Sequence, residues 1–193
     1  GGDFLRLKVL QILEATGGTL LQGQFSSVVE GVSTDTRSLK QGQVFFAIKG
    51  ERHDAHDHLK DAAKKKAGCL IIHKIDKKIL ETIPAQVAVV HVEDTRVALG
   101  DLANFWRNQF SIPVIAVTGS NGKTTTKDLI SSVLAEKYRV HKTSGNLNND
   151  IGVPLTLFGL ASTHQIAVIE MGMNHEGEID RLAQITEPTI GVI

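Results

Sequence analysis

VIAVTGSNGKTTTK, residues 114–127, is the stretch on which the reading of this chain turns. Val114, Ile115, Ala116 and Val117 make a continuous apolar run, as expected of a strand buried on both faces of a sheet. Thr118-Gly119-Ser120-Asn121-Gly122 follows at once, small and glycine-rich, and Lys123-Thr124-Thr125-Thr126 opens a helical pattern. A strand, a glycine loop, then a lysine and a hydroxyl at a helix start is the layout of a phosphate cradle. Glycines let successive N–H groups turn toward one anion, and the helix start adds free donors and partial positive charge. Lys123 is placed to reach terminal phosphates, and Thr124 to ligate a magnesium ion that bridges them. The full Walker spacing asks for a further glycine where Val117 stands, so the pattern is the shorter G-x-x-G-K-T of residues 119–124. A glycine turn with an exposed lysine is the competing reading of that string. The strand-to-helix context favours a nucleoside triphosphate, ATP or something close to it.

Working outward toward the C-terminus, the pattern is βαβ. A helix with Leu129, Ile130, Val133 and Leu134 on one stripe leaves the loop, and a strand-like piece surrounds Val140. A polar link, residues 143–152, carries Asn146, Asn148 and Asn149, and 154–160 is apolar. Ile166-Ala167-Val168-Ile169 reads as a second buried strand ending in Glu170. A helix over 178–184 and a strand over 190–193 follow. Parallel strands with crossover helices make a doubly wound α/β sheet whose ligands sit at the carboxyl ends of the strands, where residues 119–124 and Glu170 both fall. An acid in the position of Glu170 touches magnesium directly or through water; capping a neighbouring helix is the alternative. The asparagines either shape a turn or present amides to a phosphate or a bound carboxylate. A last strand at the end of the chain leaves a sheet edge open, which reads as a piece of a longer protein.

Toward the N-terminus, residues 3–15 read as a helix stopped by Gly17-Gly18, with Gly1-Gly2 as a cloning remnant. Strand-like pieces over 28–32 and 44–48 are separated by Ser33-Thr34-Asp35-Thr36-Arg37 and Gln41-Gly42. A helix over 56–67 leads to a strand at Cys69–Ile72, and another strand spans 87–92. Asp94 is placed to cap a helix whose Leu99, Leu102, Ala103, Trp106 and Phe110 share one face. Ser111-Ile112-Pro113 then breaks the pattern, and the domain boundary is expected there, giving 1–110 and 111–193.

Charge and composition exclude several classes. With 21 basic and 21 acidic residues in 193, neither sign is in excess, so nothing points to a nucleic-acid or membrane surface. No apolar run reaches the roughly 20 residues needed to span a bilayer, and Arg6, Lys8, Gln11 and Glu14 break any signal-peptide pattern. Cys69 stands alone in an apolar run and reads as a buried inert thiol, which fits a reducing cytosol. His53-Asp54-Ala55-His56-Asp57-His58 crowds its ligands too closely for a zinc site and reads as a polar loop or a solvated helix start. His175-Glu176-Gly177-Glu178-Ile179 has isoleucine where a zinc protease needs its second histidine, and that reading is rejected. Lys64-Lys65-Lys66 is expected to be a solvated helix face. Arg37 either clamps an anionic substrate or pairs with Asp35.

At this point residues 118–125 resemble the ATP loop of the Mur ligases, which also departs from the full Walker spacing. Residues 145–156, Glu170-Met171-Gly172-Met173-Asn174-His175, and Ser33-Thr34-Asp35-Thr36-Arg37 followed by residues 43–50 extend the resemblance over nearly the whole chain. It departs at Ala55, where the family usually carries glycine. The resemblance implies an N-terminal domain for a UDP-sugar peptide and the opening part of a central ATPase domain. A C-terminal domain, a second magnesium-binding histidine and a carboxylated lysine would lie beyond Ile193. It implies a cytoplasmic, monomeric, ATP- and magnesium-dependent ligase of peptidoglycan precursor synthesis, hence of cell-wall biogenesis, cell shape and division. The branch implied joins D-alanyl-D-alanine to UDP-N-acetylmuramoyl-tripeptide through an acyl phosphate. The branch adding the third peptide residue usually shows Thr-Thr-Pro where Asn148-Asn149-Asp150 stands. A nucleotide- or sugar-nucleotide-binding module without ligase chemistry is the other reading. On the family pattern Lys123 and Glu170 are catalytic. Gly119, Ser120, Asn121, Gly122, Lys123, Thr124 and Thr125 hold ATP, and Thr124 and Glu170 hold magnesium. Ser33, Thr34, Asp35, Thr36, Arg37, Asn148 and Asn149 are the candidate contacts to the UDP-sugar peptide.

Overall fold

The computed structural model describes residues 5–193, so Gly1-Gly2 and the first two residues of the expected N-terminal helix lie outside the described residues. By packing, the chain divides into two compact units, one ending at Leu99 and the other beginning at Gly100.

The first unit opens with strand β1 (Arg6–Lys8), where a helix was expected. Leu5, Leu7 and Val9 are buried while Arg6 and Lys8 are exposed, which is a period of two. β1 pairs antiparallel with β3 (Val28–Glu30), and only then does helix α1 (Val9–Thr16) begin, stopping at Gly17 in the left-handed region. The apolar run over 28–32 also divides. Gly31 at φ +97° turns the chain, so β3 belongs with β1 while β4 (Val32–Ser33) enters the main sheet.

That sheet runs β2 (Thr19–Gln22), β7 (Ala88–His91), β6 (Cys69–Ile72), β5 (Val44–Phe46), β4; β4 to β7 are parallel and β2 is an antiparallel edge. β5 and β6 are buried at every position, as interior parallel strands require. Leu39, Phe45, Leu59, Leu70, Ile72 and Val89 form a core on one face. The helix expected over 56–67 is a 3-10 turn (Ala55–His58) followed by α2 (Leu59–Lys64). Lys66 at φ +61° ends it, and Lys64, Lys65 and Lys66 are all exposed. Ala55 fits that 3-10 turn with no positive φ. Asp76 caps the short α3 (Lys77–Leu80), for which the sequence carried no periodic signal. In α4 (Thr95–Arg107) the Asp94 carboxylate accepts from the N–H groups of Arg96 (2.8 Å) and Val97 (3.2 Å), the cap its spacing predicts. The helix ends three residues before Phe110, whose ring meets Trp106 edge-on at 5.3 Å.

In the second unit, β8 (Val114–Val117) leads through α5 (Lys123–Ala135) to β9 (Val140–Lys142). From there α6 (Gly152–Phe158) leads to β10 (Ile166–Glu170), and α7 (Glu178–Thr186) to β11 (Ile190–Val192). The spatial order is β11-β8-β10-β9, all parallel. β8 and β10 are the interior pair, buried throughout. The stripe on α5 differs from the one expected. Leu129 and Val133 are 63% and 72% exposed, while Ile130 and Leu134 pack onto Ile115, Val117, Ile166 and Val168. The inward face instead carries Lys127 and Ser131, both buried, so polar residues occupy a stripe that apolar counting assigned to their neighbours.

Candidate active site

The glycine loop hangs between two fixed points. At its start the Thr118 N–H donates to the Val192 carbonyl (2.9 Å), extending the β8–β11 ladder. At its end Gly122 is the N-cap of α5, with its carbonyl accepting from the Thr126 N–H (2.9 Å). Gly119 (φ +130°) and Gly122 (φ +74°) hold backbone conformations that side chains disfavour, and Ser120 and Asn121 are exposed between them. No acidic residue lies in the first turn of α5 and no side chain caps it, so its free N–H groups and positive dipole end are open to an anion. Lys123 folds over the loop and donates from Nζ to the Gly119 carbonyl (2.8 Å); Thr124 and Thr125 follow on the exposed first turn.

Glu170 closes the site from the neighbouring strand. It ends β10 directly opposite Val117 of β8 and is 1% exposed. The Thr124 hydroxyl donates to its carboxylate (3.0 and 3.1 Å to the two oxygens), and Asn148 Nδ2 donates to Oε1 (3.1 Å). Among the described residues no lysine, arginine or histidine pairs with Glu170. A carboxylate buried without a cation costs several kcal/mol unless a positive group joins it. A hydroxyl and a carboxylate are hard oxygen donors, the set that magnesium takes. Among the described residues no three His, Cys, Asp or Glu side chains cluster as a metal cage. Magnesium needs none, because it keeps water and takes phosphate oxygens for its remaining positions.

The asparagines separate residue by residue. Asn148 touches the Glu170 carboxylate, and its own carbonyl accepts from the Gly172 N–H (2.7 Å). Asn149 Oδ1 instead accepts from the N–H groups of Ile151 (3.2 Å) and Gly152 (2.7 Å) at the start of α6. The Asn146 carbonyl accepts from the Asn148 N–H (2.7 Å), a turn contact. Lys127 and Thr143, which sequence reasoning passed over, stand behind this group. The buried Thr143 hydroxyl accepts from the Glu170 N–H (2.9 Å).

In the first unit, residues 33–37 form a self-bonded turn. The Ser33 hydroxyl accepts from the Asp35 N–H and donates to the Asp35 carbonyl. Arg37 pairs with both Asp35 oxygens, with Nη2 at 2.7 Å. That hydrogen-bonded guanidinium draws the Asp35 carboxyl down to about 2. The Thr36 carbonyl accepts from Lys65. His56 is buried rather than solvated. Its Nδ1 meets the Asp54 carboxylate (2.7 Å) and its Nε2 accepts from the His73 N–H (3.0 Å), so both ring nitrogens are engaged within the protein. Burial pushes the Asp54 carboxyl up, but hydrogen bonds from Lys74 and His56 outweigh it and hold the group well below the usual carboxylate range. Cys69 is fully buried and its thiol is pushed up to about 12, as an inert core residue should be. A cleft of about 270 Å³ is lined by Lys49, His73, Glu93, Asp94, Thr95 and Arg96.

These features define an α/β protein of two units, the second built as a phosphate-loop domain. The chain belongs to the Mur ligase family. The model of the Mur ligase family catalytic domain matches residues 28–107, and that of the Mur ligase middle domain matches 117–193. Over 190 residues the chain is 44% identical to the UDP-N-acetylmuramoyl-tripeptide–D-alanyl-D-alanine ligase of Bacillus subtilis, covering 98% of this chain and 41% of that protein. The crystal structure of MurF from Acinetobacter baumannii superposes with a TM-score of 0.89 at 37% identity, over 98% of this chain and 41% of that one. The MurF ligase of Thermotoga maritima in complex with ADP superposes with a TM-score of 0.72 at 32% identity, over 81% and 35%. The chain thus spans about two fifths of the length of the relatives it matches. Among the described residues no helix is long and apolar enough to cross a membrane.

Proposed function

We propose that this chain forms the substrate- and ATP-binding part of a ligase that joins D-alanyl-D-alanine to UDP-N-acetylmuramoyl-tripeptide. One observation carries the reading: among the described residues the buried Glu170 carboxylate has no cationic partner, and it lies against the Thr124 hydroxyl beside the glycine loop. The relatives named above support the substrates, and the ADP complex of the T. maritima relative supports the nucleotide.

A peptide carboxylate is a poor electrophile, so the first step transfers the γ-phosphoryl of ATP to it, giving an acyl phosphate and ADP. The amine of D-alanyl-D-alanine then attacks the acyl carbon, and phosphate leaves as the amide forms. The loop amides of residues 119–122 and the Lys123 ammonium hold the β- and γ-phosphates and meet the charge that builds on the transferring oxygens. Thr124 and Glu170 would hold magnesium, which when bound neutralises phosphate charge and polarises the phosphoryl group. Asn148 orients the Glu170 carboxylate. Residues 33–37 and Asn149 are assigned to the UDP-sugar peptide. We place the work of residues 1–110 in binding that substrate and of 111–193 in binding ATP, in a monomeric cytoplasmic enzyme.

Calorimetry on this chain tests the nucleotide site: magnesium-dependent ATP uptake is expected, and its absence from folded material would overturn the reading. In the full-length ligase, Lys123→Ala should lower turnover roughly 100- to 1000-fold, the scale for losing one preorganised donor. Phosphate release with D-alanyl-D-alanine as acceptor reads it, and near-normal turnover would remove Lys123 from the mechanism. The 193-residue chain by itself is expected to take up ATP and make no amide.

A further inference from the structure

Lys127 sits one turn beyond Lys123 on α5, is 2% exposed, and plays no part in the chemistry above. A lysine is among the residues most reluctant to be buried. Its ammonium donates to the carbonyls of Thr143 (2.8 Å) and Gly145 (3.2 Å) and forms an ion pair with the Asp128 carboxylate (3.2 Å). Thr143 and Gly145 begin the irregular link between β9 and α6, and Gly145 holds φ +57°. The same link then supplies Asn148. Two arms therefore run from this one ammonium to Glu170. In the first, Lys127 holds the Thr143 carbonyl while the Thr143 hydroxyl accepts from the Glu170 N–H. In the second, Lys127 holds the Gly145 carbonyl at the root of the turn that brings Asn148 Nδ2 onto the Glu170 carboxylate. An apolar residue of equal length would fill the volume and leave both carbonyls without a donor.

We infer that Lys127 is a positioning residue: through Thr143 and Asn148 it sets the Glu170 carboxylate against Thr124 and so tunes how strongly the site takes magnesium with its nucleotide. The inference rests on the magnesium–ATP reading of the site. A strut that merely stabilised the fold would lower the melting temperature and leave the metal requirement alone. A positioning residue moves the metal requirement and shares its effect with Asn148.

The test is calorimetric titration of this chain with ATP at graded magnesium, on the parent, Lys127→Met, Asn148→Ala and the double variant. Parent binding that ignores magnesium would sink the underlying reading, whatever the variants do. Given a magnesium-dependent parent, Lys127→Met should raise the magnesium concentration for half-maximal ATP uptake about tenfold, with ATP binding in EDTA held within about twofold. The double variant should show clearly less than the product of the single effects, as residues acting through one another do. An unchanged magnesium midpoint, or single effects that simply multiply, would overturn the proposal. Should Lys127→Met not fold, Lys127→Arg enters the same cycle. Its planar fork keeps the charge but cannot set one point donor on two carbonyls, and a threefold or larger rise in the midpoint is expected, against no change if Lys127 is only a buried charge.

Discussion

Arg37 shows at the level of one residue what spacing alone leaves open. Two positions from Asp35, it was equally suited to clamping a substrate and to pairing with that carboxylate; the structure has the pair, bidentate and exposed. An exposed pair contributes at most about 1 kcal/mol. The sign follows from the Asp35 carboxyl, which Arg37 draws down to about 2 from an unfolded value near 3.9. Its contribution is present above pH 4 and lost as pH falls through 2, with roughly half gone by pH 3. Carbon-detected NMR should find Asp35 titrating near 2 in the parent and moving up toward about 3.9 in Arg37→Gln. A midpoint unmoved by that change would assign the depression to the Ser33 turn instead. The candidate site was legible where chemistry needs a residue type at a fixed spacing: Gly119, Gly122, Lys123, Thr124 and the strand-end Glu170 come together in the fold. Lys127 was not, because a charged residue in a helix reads as solvated, and only the fold turns its face inward.

Among the elements, β5 to β8 and β10 were readable because strands buried on both faces leave continuous apolar runs. The short pieces were not. Leu5, Leu7 and Val9 satisfy a strand as well as a helix, and partner β3 decides between them. The stripe on α5 failed for a related reason: its four apolar residues spread over roughly 140° of the helix, and the fold turns the Leu129 and Val133 side outward. The end of β10 carries the firmest element-scale prediction. A Cβ on Gly172 would lie 2.7 Å from the Asn148 side chain, well inside van der Waals contact. Gly172→Ala should therefore push Asn148 off Glu170. We expect ATP uptake at limiting magnesium to weaken about tenfold while the circular dichroism of the chain stays unchanged. Undiminished uptake would show that Asn148 does not matter to the metal.

Over the whole molecule, the packing boundary falls inside α4, between Leu99 and Gly100, within a helix that runs on to Arg107. Its last turns belong to the second unit, where Arg107 donates to the carbonyls of Thr186 (2.8 Å) and Glu187 (2.9 Å). The helix continues through that point while its neighbours change, and Gly100 stands at the division without ending the helix. The root of the glycine loop carries a different consequence. β8 has a partner on each side, and the ladder continues past its end through Thr118 N–H to Val192 and Met171 N–H to Val117, both 2.9 Å. Amide hydrogens at Thr118 and Met171 should exchange with solvent only through large openings of the sheet, while those of Ser120 and Asn121, two and three residues onward, exchange within the dead time of mixing. Equal rates across that interval would contradict it. With such a sharp step, a phosphate captured there would meet a soft lip moored directly to the stiffest ground in the domain, and capture would reshape a few peptide groups without the scaffold beneath having to yield.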